Sequence, residues 1–323
     1  MNRINRIISL LAIALACAFA QSATAGKVKI TKAKGKAIVK IDGKLFTEYV
    51  FTGHSKPIMY PVIGPHGIPM TRNYPMKEGV DNEASDHPHH KSLWYTHDDV
   101  NKVQFWLEYP GKNKSLKPGK IGQQSMKIKG DTITTENSWA DHAGKVVCTD
   151  KRVVSFGESK VGRHIDFTIT INASAGDVTF GDTKEGTMAI RTNPLLRIRK
   201  DERRGVHTVT GKSINSEGVE GKDMWGKRAA WVDYWGQIDG KTVGVAIFDH
   251  PDNPRHPTWW HARDYGLVAA NPFGVHNFEK KPKGTGDMLI KKGTSVSFKY
   301  RFLFHKGDNK SADIPAQYKA FSN

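Results

Sequence analysis

The residues best suited to chemistry crowd into two segments of the chain. The first, Tyr60 to Glu108, carries Tyr60-Pro61-Val62-Ile63-Gly64-Pro65-His66-Gly67 and Asp86-His87-Pro88-His89-His90-Lys91-Ser92-Leu93-Trp94. The second, Asp249 to His276, carries Asp249-His250-Pro251, Trp259-Trp260-His261-Ala262-Arg263-Asp264 and Asn271-Pro272-Phe273-Gly274. Ten of the fourteen histidines fall in or beside these segments when His54 is counted. Loops this dense in His, Asp, Arg and Trp point to a site rather than to mere connection. In His87-Pro88-His89-His90, proline biases His87 toward an extended backbone. His87 and His89 are then expected on one side of the chain and His90 on the other. Two imidazoles on one side could ligate a single transition-metal ion, Cu or Zn, with Glu108, Asp249, His250 or His261 completing the shell. Equally, one of His87, His89 and His90 could serve as general acid or base beside an acidic partner, Glu108 or Asp249, oriented by Asp86 or Asp98. A structural, hydrogen-bonded cluster is the third reading.

Trp94, Trp106, Trp231, Trp235, Trp259 and Trp260 flank the same polar residues. Aromatic faces stack on the apolar faces of sugar rings while Asp, Asn, Arg and His bond the hydroxyls, a combination suited to carbohydrate. The expected substrate-binding set is His66, Arg72, Trp94, His250, Trp259, His261, Arg263 and Asn271, with Arg72, Arg263 and Asn271 on hydroxyl or carboxylate groups. Neighbouring strand residues face opposite ways, so Trp259 and Trp260 cannot easily share one core. There is no G-x-S-x-G elbow, P-loop, H-E-x-x-H or dinucleotide fingerprint, which argues against ATP chemistry and bound-nicotinamide hydride transfer. No organic cofactor is expected.

The elements that must position these residues read as strands. Short alternating runs recur at Ala37 to Ile41, Leu45 to Phe51, Val103 to Glu108, Gln124 to Lys129 and Val146 to Phe156. They continue at His164 to Ile171, Met188 to Arg191, Ala229 to Gln237, Thr242 to Phe248 and Val296 to Phe304. Asp42-Gly43 and Asp239-Gly240 punctuate them as hairpin turns. The expected fold is all-β, a large two-sheet antiparallel sandwich forming one domain over residues 26–323, with a short closing helix near residues 312–321.

Residues 1–25 read as a signal peptide: Arg3 and Arg6, an apolar stretch from Ile7 to Phe19, then Ala23-Thr24-Ala25, with cleavage before Gly26. Ala14 stands where a lipobox before Cys17 prefers Leu. Removal of the signal leaves Cys148 alone, in Val146-Val147-Cys148, as a small core residue rather than a nucleophile. The protein is expected to be exported, periplasmic or extracellular, without a membrane span. Lysine and arginine exceed acids by 17, but the basic residues are spread along the chain with no base-stacking module. Nucleic acid is therefore not an expected partner. Carbohydrate is, and an anionic polysaccharide would suit the charge.

YPVIGPHGIPMTRNYPM, DHPHHKSLW and FDHPDNPRHPTWWHARDYGLVAANPFG together resemble the exported bacterial family DUF6807, often labelled methane oxygenase PmoA-like, over roughly residues 37 to 305. The resemblance implies a sandwich like the galactose-mutarotase-type supersandwich and, by analogy with sugar-catabolic exported proteins, carbohydrate chemistry. Particulate methane oxygenase subunits are membrane-embedded and this chain offers no span, so methane chemistry is not expected. No catalytic residue comes with the resemblance. The leading expectation is a sugar- or glycan-processing hydrolase, lyase or epimerase. The alternatives are a metal-dependent enzyme using His87 and His89, or a non-catalytic glycan-binding module.

Overall fold

The computed structural model describes residues 26–109 and 117–323. The expected signal segment, with Cys17, lies outside the described residues. Two eight-stranded sheets, antiparallel throughout, make up most of the chain. The first runs in the order Val28–Ala33, Lys36–Ile41, Lys44–Val50, Ile58–Val62, Leu93–His97, Gly186–Arg191, Leu267–Asn271, Trp259–Ala262. The second runs Lys212–Asn215, Trp231–Ile238, Lys241–Asp249, Ser295–Lys306, Gly162–Asn172, Val146–Glu158, Thr132–Ala140, Lys120–Lys129. A small four-stranded sheet, which includes Asp99–Val100 and Val103–Gln104, closes one end. Among the described residues no helix is long and apolar enough to cross a membrane.

Period-two alternation places Ala37, Val39 and Ile41 of the first sheet and Ile165, Phe167, Ile169 and Ile171 of the second in one shared core. Each of the Val, Ile and Phe side chains among these stabilises the fold by roughly 1.5–3 kcal/mol on full burial. The expected hairpins form at Asp42-Gly43 (φ 48° and 76°) and Asp239-Gly240 (φ 49° and 71°). Left-handed backbone at both central residues matches the twist of the flanking strands. Cys148 is buried, and burial raises its thiol pKa, as for a core residue.

Two features differ from expectation. The run from Val103 to Glu108 keeps only Val103–Gln104 as strand. The chain then leaves the sheet, sending Phe105 into the inter-sheet core and Trp106 to a separate apolar cluster. Conversely, both histidine-dense segments contain strands: Leu93–His97, Trp259–Ala262 and Leu267–Asn271 are buried at every residue and so show no alternation. The closing helix spans Ile314–Ser322, with the Asp313 carboxylate accepting from the Ala316 N–H.

A polar network ties the second sheet to the first. Asp150 accepts from Arg152 (Nη2, 2.8 Å), Asn137 (2.6 Å) and Trp139 Nε1 (2.7 Å), and the Arg152 guanidinium lies 5.6 Å from the Tyr95 ring centre. Tyr95 neighbours Trp94, so this network helps fix the strand beneath the site described below. Removing one member strands the other charges without water. Asp150→Ala should cost about 3–5 kcal/mol in urea denaturation, and the double variant Asp150→Ala/Arg152→Met should recover part of it. A loss below about 1 kcal/mol for Asp150→Ala would show that the network carries little of the stability.

Candidate active site

The site stands on the face of the first sheet turned away from the second. Tyr95, Met188, Ile190 and Ala270 point into the inter-sheet core, whereas Trp94, Ala189, Leu267 and Ala269 belong to a different apolar cluster on the opposite face. Strand register lines up Ile58, Trp94, Ala189, Ala269 and His261 in one row across five strands. At the His261 end of this row loops enclose a cleft of about 540 Å³, while Ala189 and Ala269 are fully buried in the cluster around Trp94.

One wall is the His87–His90 turn. His87 has φ 45°, and the His90 N–H donates to the His87 carbonyl at 2.9 Å, so the chain reverses over Pro88-His89 instead of staying extended. Arg72 Nη2 holds the turn by donating to the carbonyls of His87 (3.1 Å) and His90 (3.4 Å). All three imidazoles therefore pack together. His87 stacks on His90 with ring centres 4.8 Å apart, and His89 meets His90 edge-on at 4.4 Å. His87 also stacks on Tyr265, and His90 on Trp94.

Behind this wall Asp86 joins two buried arginines. Its Oδ1 accepts from Arg72 Nη1 (2.5 Å) and Arg191 Nη2 (2.8 Å), and its Oδ2 lies 3.1 Å from His87 Nδ1. Burial alone would raise the carboxyl pKa. His87, Arg191 and Arg72 outweigh it and hold the group well below the usual carboxylate range. Glu108 repeats the pattern, pairing with Lys56 (2.5 Å) and Lys91, while Lys56 also donates to the His89 carbonyl at 3.2 Å. Burial and then the Lys56 charge push His89 down to about 3. Burial, His89 and Arg191 lower His90 well below its ordinary value. Both rings are neutral at physiological pH. Arg191 Nη1 lies 3.4 Å from His90 Nδ1, and a guanidinium only donates. The His90 proton is thereby assigned to Nε2, which is buried and has no partner among the described residues.

The rest of the lining includes Asp98, Gln104, Glu185, His261, Arg263 and Tyr265. Burial, reinforced by the Glu185 charge and opposed by Gln104, pushes the Asp98 carboxyl up to about 6. Its Oδ1 is buried without a partner among the described residues. His261 Nδ1 lies 2.8 Å from the Lys184 carbonyl, and burial lowers its pKa to about 4. Arg263 lies 5.9 Å and 5.4 Å from the ring centres of Trp225 and Tyr265. Tyr109 stands at the mouth, 37% exposed, its hydroxyl 3.3 Å from His89 Nδ1.

Of the residues expected from sequence, His87, His89, His90, His261 and Arg263 line the cleft. Arg72, Trp94 and Glu108 lie behind it as supports. Trp94 is 1% exposed beneath His90, so it is a floor and not a stacking platform. Five others are placed elsewhere. Asp249 is taken up by His256, Asn253 and the Thr258 N–H, and His250 packs on Phe321 of the closing helix. His66 sits in a distant turn beside Glu158 and Arg163. Trp259 shares the outer face with His261 but is covered, its Nε1 donating to Glu279 and Arg228 lying over its ring; Trp260 faces the core, so the pair does divide between two environments. Asn271 braces a loop through the Thr183 carbonyl and the Phe273 N–H. Asp249 and His250 are thus removed from the expected metal shell and acid–base pair. Among the described residues no group of three or more His, Cys, Asp or Glu side chains is arranged to hold a metal ion. Glu185, Arg191, Tyr109 and Tyr265 were not singled out by sequence, and Asp98 only as an orienting group. Arg191, ending an otherwise apolar strand, carried the one readable signal.

Among solved structures, similarity is to a galactose mutarotase-like protein from Lactobacillus casei, at 9% identity over 86% of this chain and 100% of that one, TM-score 0.33. A galactose mutarotase-like protein from Clostridium acetobutylicum is 10% identical over 87% and 96%, TM-score 0.33. A 4-alpha-glucanotransferase from Thermococcus litoralis is 9% identical over 87% and 40%, TM-score 0.32. At such scores the likeness assigns no activity to this chain. No curated protein matches the sequence. Residues 36–319 match the model of DUF6807, a family of unknown function, and the chain belongs to that family.

Proposed function

We propose that the cleft is the active site of an enzyme that processes a carbohydrate by acid–base chemistry. Asp98 is the group that gives up a proton, and His90, with His89 beside it, supplies neutral N–H donors to an oxygen that gains negative charge. The observation that carries this reading is the pairing, in one cleft, of a carboxyl that keeps its proton to about pH 6 with a buried His90 Nε2–H that has no acceptor among the described residues. An acid with a pKa near the working pH combines the correct protonation state with useful driving force. A neutral imidazole polarises an oxygen without competing for its proton. This differs from a histidine acid or base, because burial, reinforced by nearby positive charge, makes the His89 and His90 rings poor proton carriers near neutrality.

Carbohydrate is favoured by the lining, in which Gln104, Glu185 and Asp201 offer partners for hydroxyls and Tyr109 offers a face at the mouth. The leader-like residues 1–25 support an activity in the periplasm or outside the cell. A turnover screen on neutral and acidic oligosaccharides tests the reading. Product formation supports it, whereas ligand-dependent melting with no product from any of them would make the chain a binding module instead.

Asp98→Asn should fold and lose about 10²–10⁴-fold in kcat. In the wild type kcat should fall as pH rises through about 6, where Asp98 ionises. A profile flat from pH 5 to 8, or an unaltered limb in the variant, contradicts the assignment. The same group makes a stability prediction. Its folded pKa lies above its unfolded one, so its contribution is fully present below about pH 4 and is lost as pH rises through about 6. Asp98→Asn should therefore gain on the order of 1–2 kcal/mol relative to wild type at pH 8 over its difference at pH 4. Equal differences at the two pH values would show that the carboxyl is not perturbed.

A further inference from the structure

The charges around the cleft do not balance. Asp86 and Glu108 each serve two cations, Arg72 with Arg191 and Lys56 with Lys91. The other lining cations each have an acidic contact: Arg199 with Asp264 (2.8 Å), Lys184 with Glu185, and Arg204 with Asp201 (2.9 Å), a carboxylate that also lies 3.9 Å from Arg197. Arg263 is the exception. Its guanidinium has neither a carboxylate partner nor a hydrogen-bond acceptor among the described residues, and the remaining segments, 1–25 and 110–116, contain no Asp or Glu.

The surroundings of Arg263 hold the guanidinium without neutralising it. Trp225 and Tyr265 approach its faces, and the Trp225 Nε1 is itself buried without a partner among the described residues. Arginine tolerates such stacking because it is weakly hydrated, and its donors form a fork that matches a planar carboxylate. A neutral sugar would leave the guanidinium and the surplus positive field uncompensated, whereas an anionic one supplies the missing charge where it is focused. The cleft, at about 540 Å³, is far larger than a small inorganic anion needs.

Resting on the carbohydrate reading of this cleft, we infer that the substrate carries a carboxylate, as a uronic acid does, and that Arg263 receives it. Arg199 and Arg204 on the rim add to the attraction without contacting it at full strength, since each already has an acidic partner.

Calorimetric titration at low salt with trigalacturonate and triglucuronate, each beside its methyl ester, tests the inference. At least one acid should bind about tenfold or more tightly than its uncharged ester, about 1.4 kcal/mol. Arg263→Met should abolish that preference, and Arg263→Lys, which keeps the charge but loses the fork, should restore only part of it. Should the methionine variant unfold, Arg263→Lys and the rim variant Arg204→Gln carry the test, each lowering the acid-over-ester ratio. Equal binding of acids and esters, no binding of either acid by the wild type, or an undiminished preference in Arg263→Met would overturn the inference. Binding is read without turnover, so an inert Asp98→Asn control that still prefers the acid leaves the inference standing. Turnover of neutral sugars without acid preference would sink the inference alone.

Discussion

The Asp86 carboxylate, held between Arg72 and Arg191, is the interaction on which the cleft depends. Two guanidinium groups lie almost wholly out of water there. Without a shared anion their burial would cost several kcal/mol each. With it, Arg72 is free to spend its other donors on the carbonyls of the histidine turn, and Arg191 to donate to His90. One buried ion triad thus shapes the turn, packs three imidazoles together and selects the tautomer of the innermost. Glu108 plays the same part for Lys56 and Lys91, tying His89 through its carbonyl.

The sandwich supplies the frame. Its inner faces form a continuous core, which leaves the outer face of the first sheet to be built upon. The row across five strands places small side chains, Ala189 and Ala269, between bulky Trp94 and His261. A rigid, close-packed sheet lets the loops above it supply most of the cleft lining while the sheet fixes their distances. The surplus of cations follows from the same design, because Asp86 and Glu108 each serve two of them.

Much of the fold was legible in the sequence. Strands with one wet face, such as Gly162–Asn172, betray themselves by alternation, and Asp-Gly pairs mark their turns. The strands under the site were the hardest to read. Leu93–His97 and Leu267–Asn271 are covered on both faces and give no periodic signal. Residue density rightly drew attention to His87, His89, His90, His261 and Arg263. It could not separate them from Asp249 and His250, which are equally polar but lie against the closing helix, because only the sheet register decides which loops meet. Asp98 is an ordinary aspartate in sequence; its character comes from burial beside Glu185, some 90 residues away in the chain.

The His89 and His90 imidazoles are kept neutral by burial and, after it, by neighbouring cations. Long-range ¹H–¹⁵N NMR of the histidine rings, with His90 assigned through a His90→Gln variant, reads this directly. Between pH 5 and 7 the His90 ring should remain neutral, with its proton on Nε2 and Nδ1 as acceptor, and His89 should also remain uncharged. An imidazolium at either position at pH 6, or a His90 proton on Nδ1, would contradict the account.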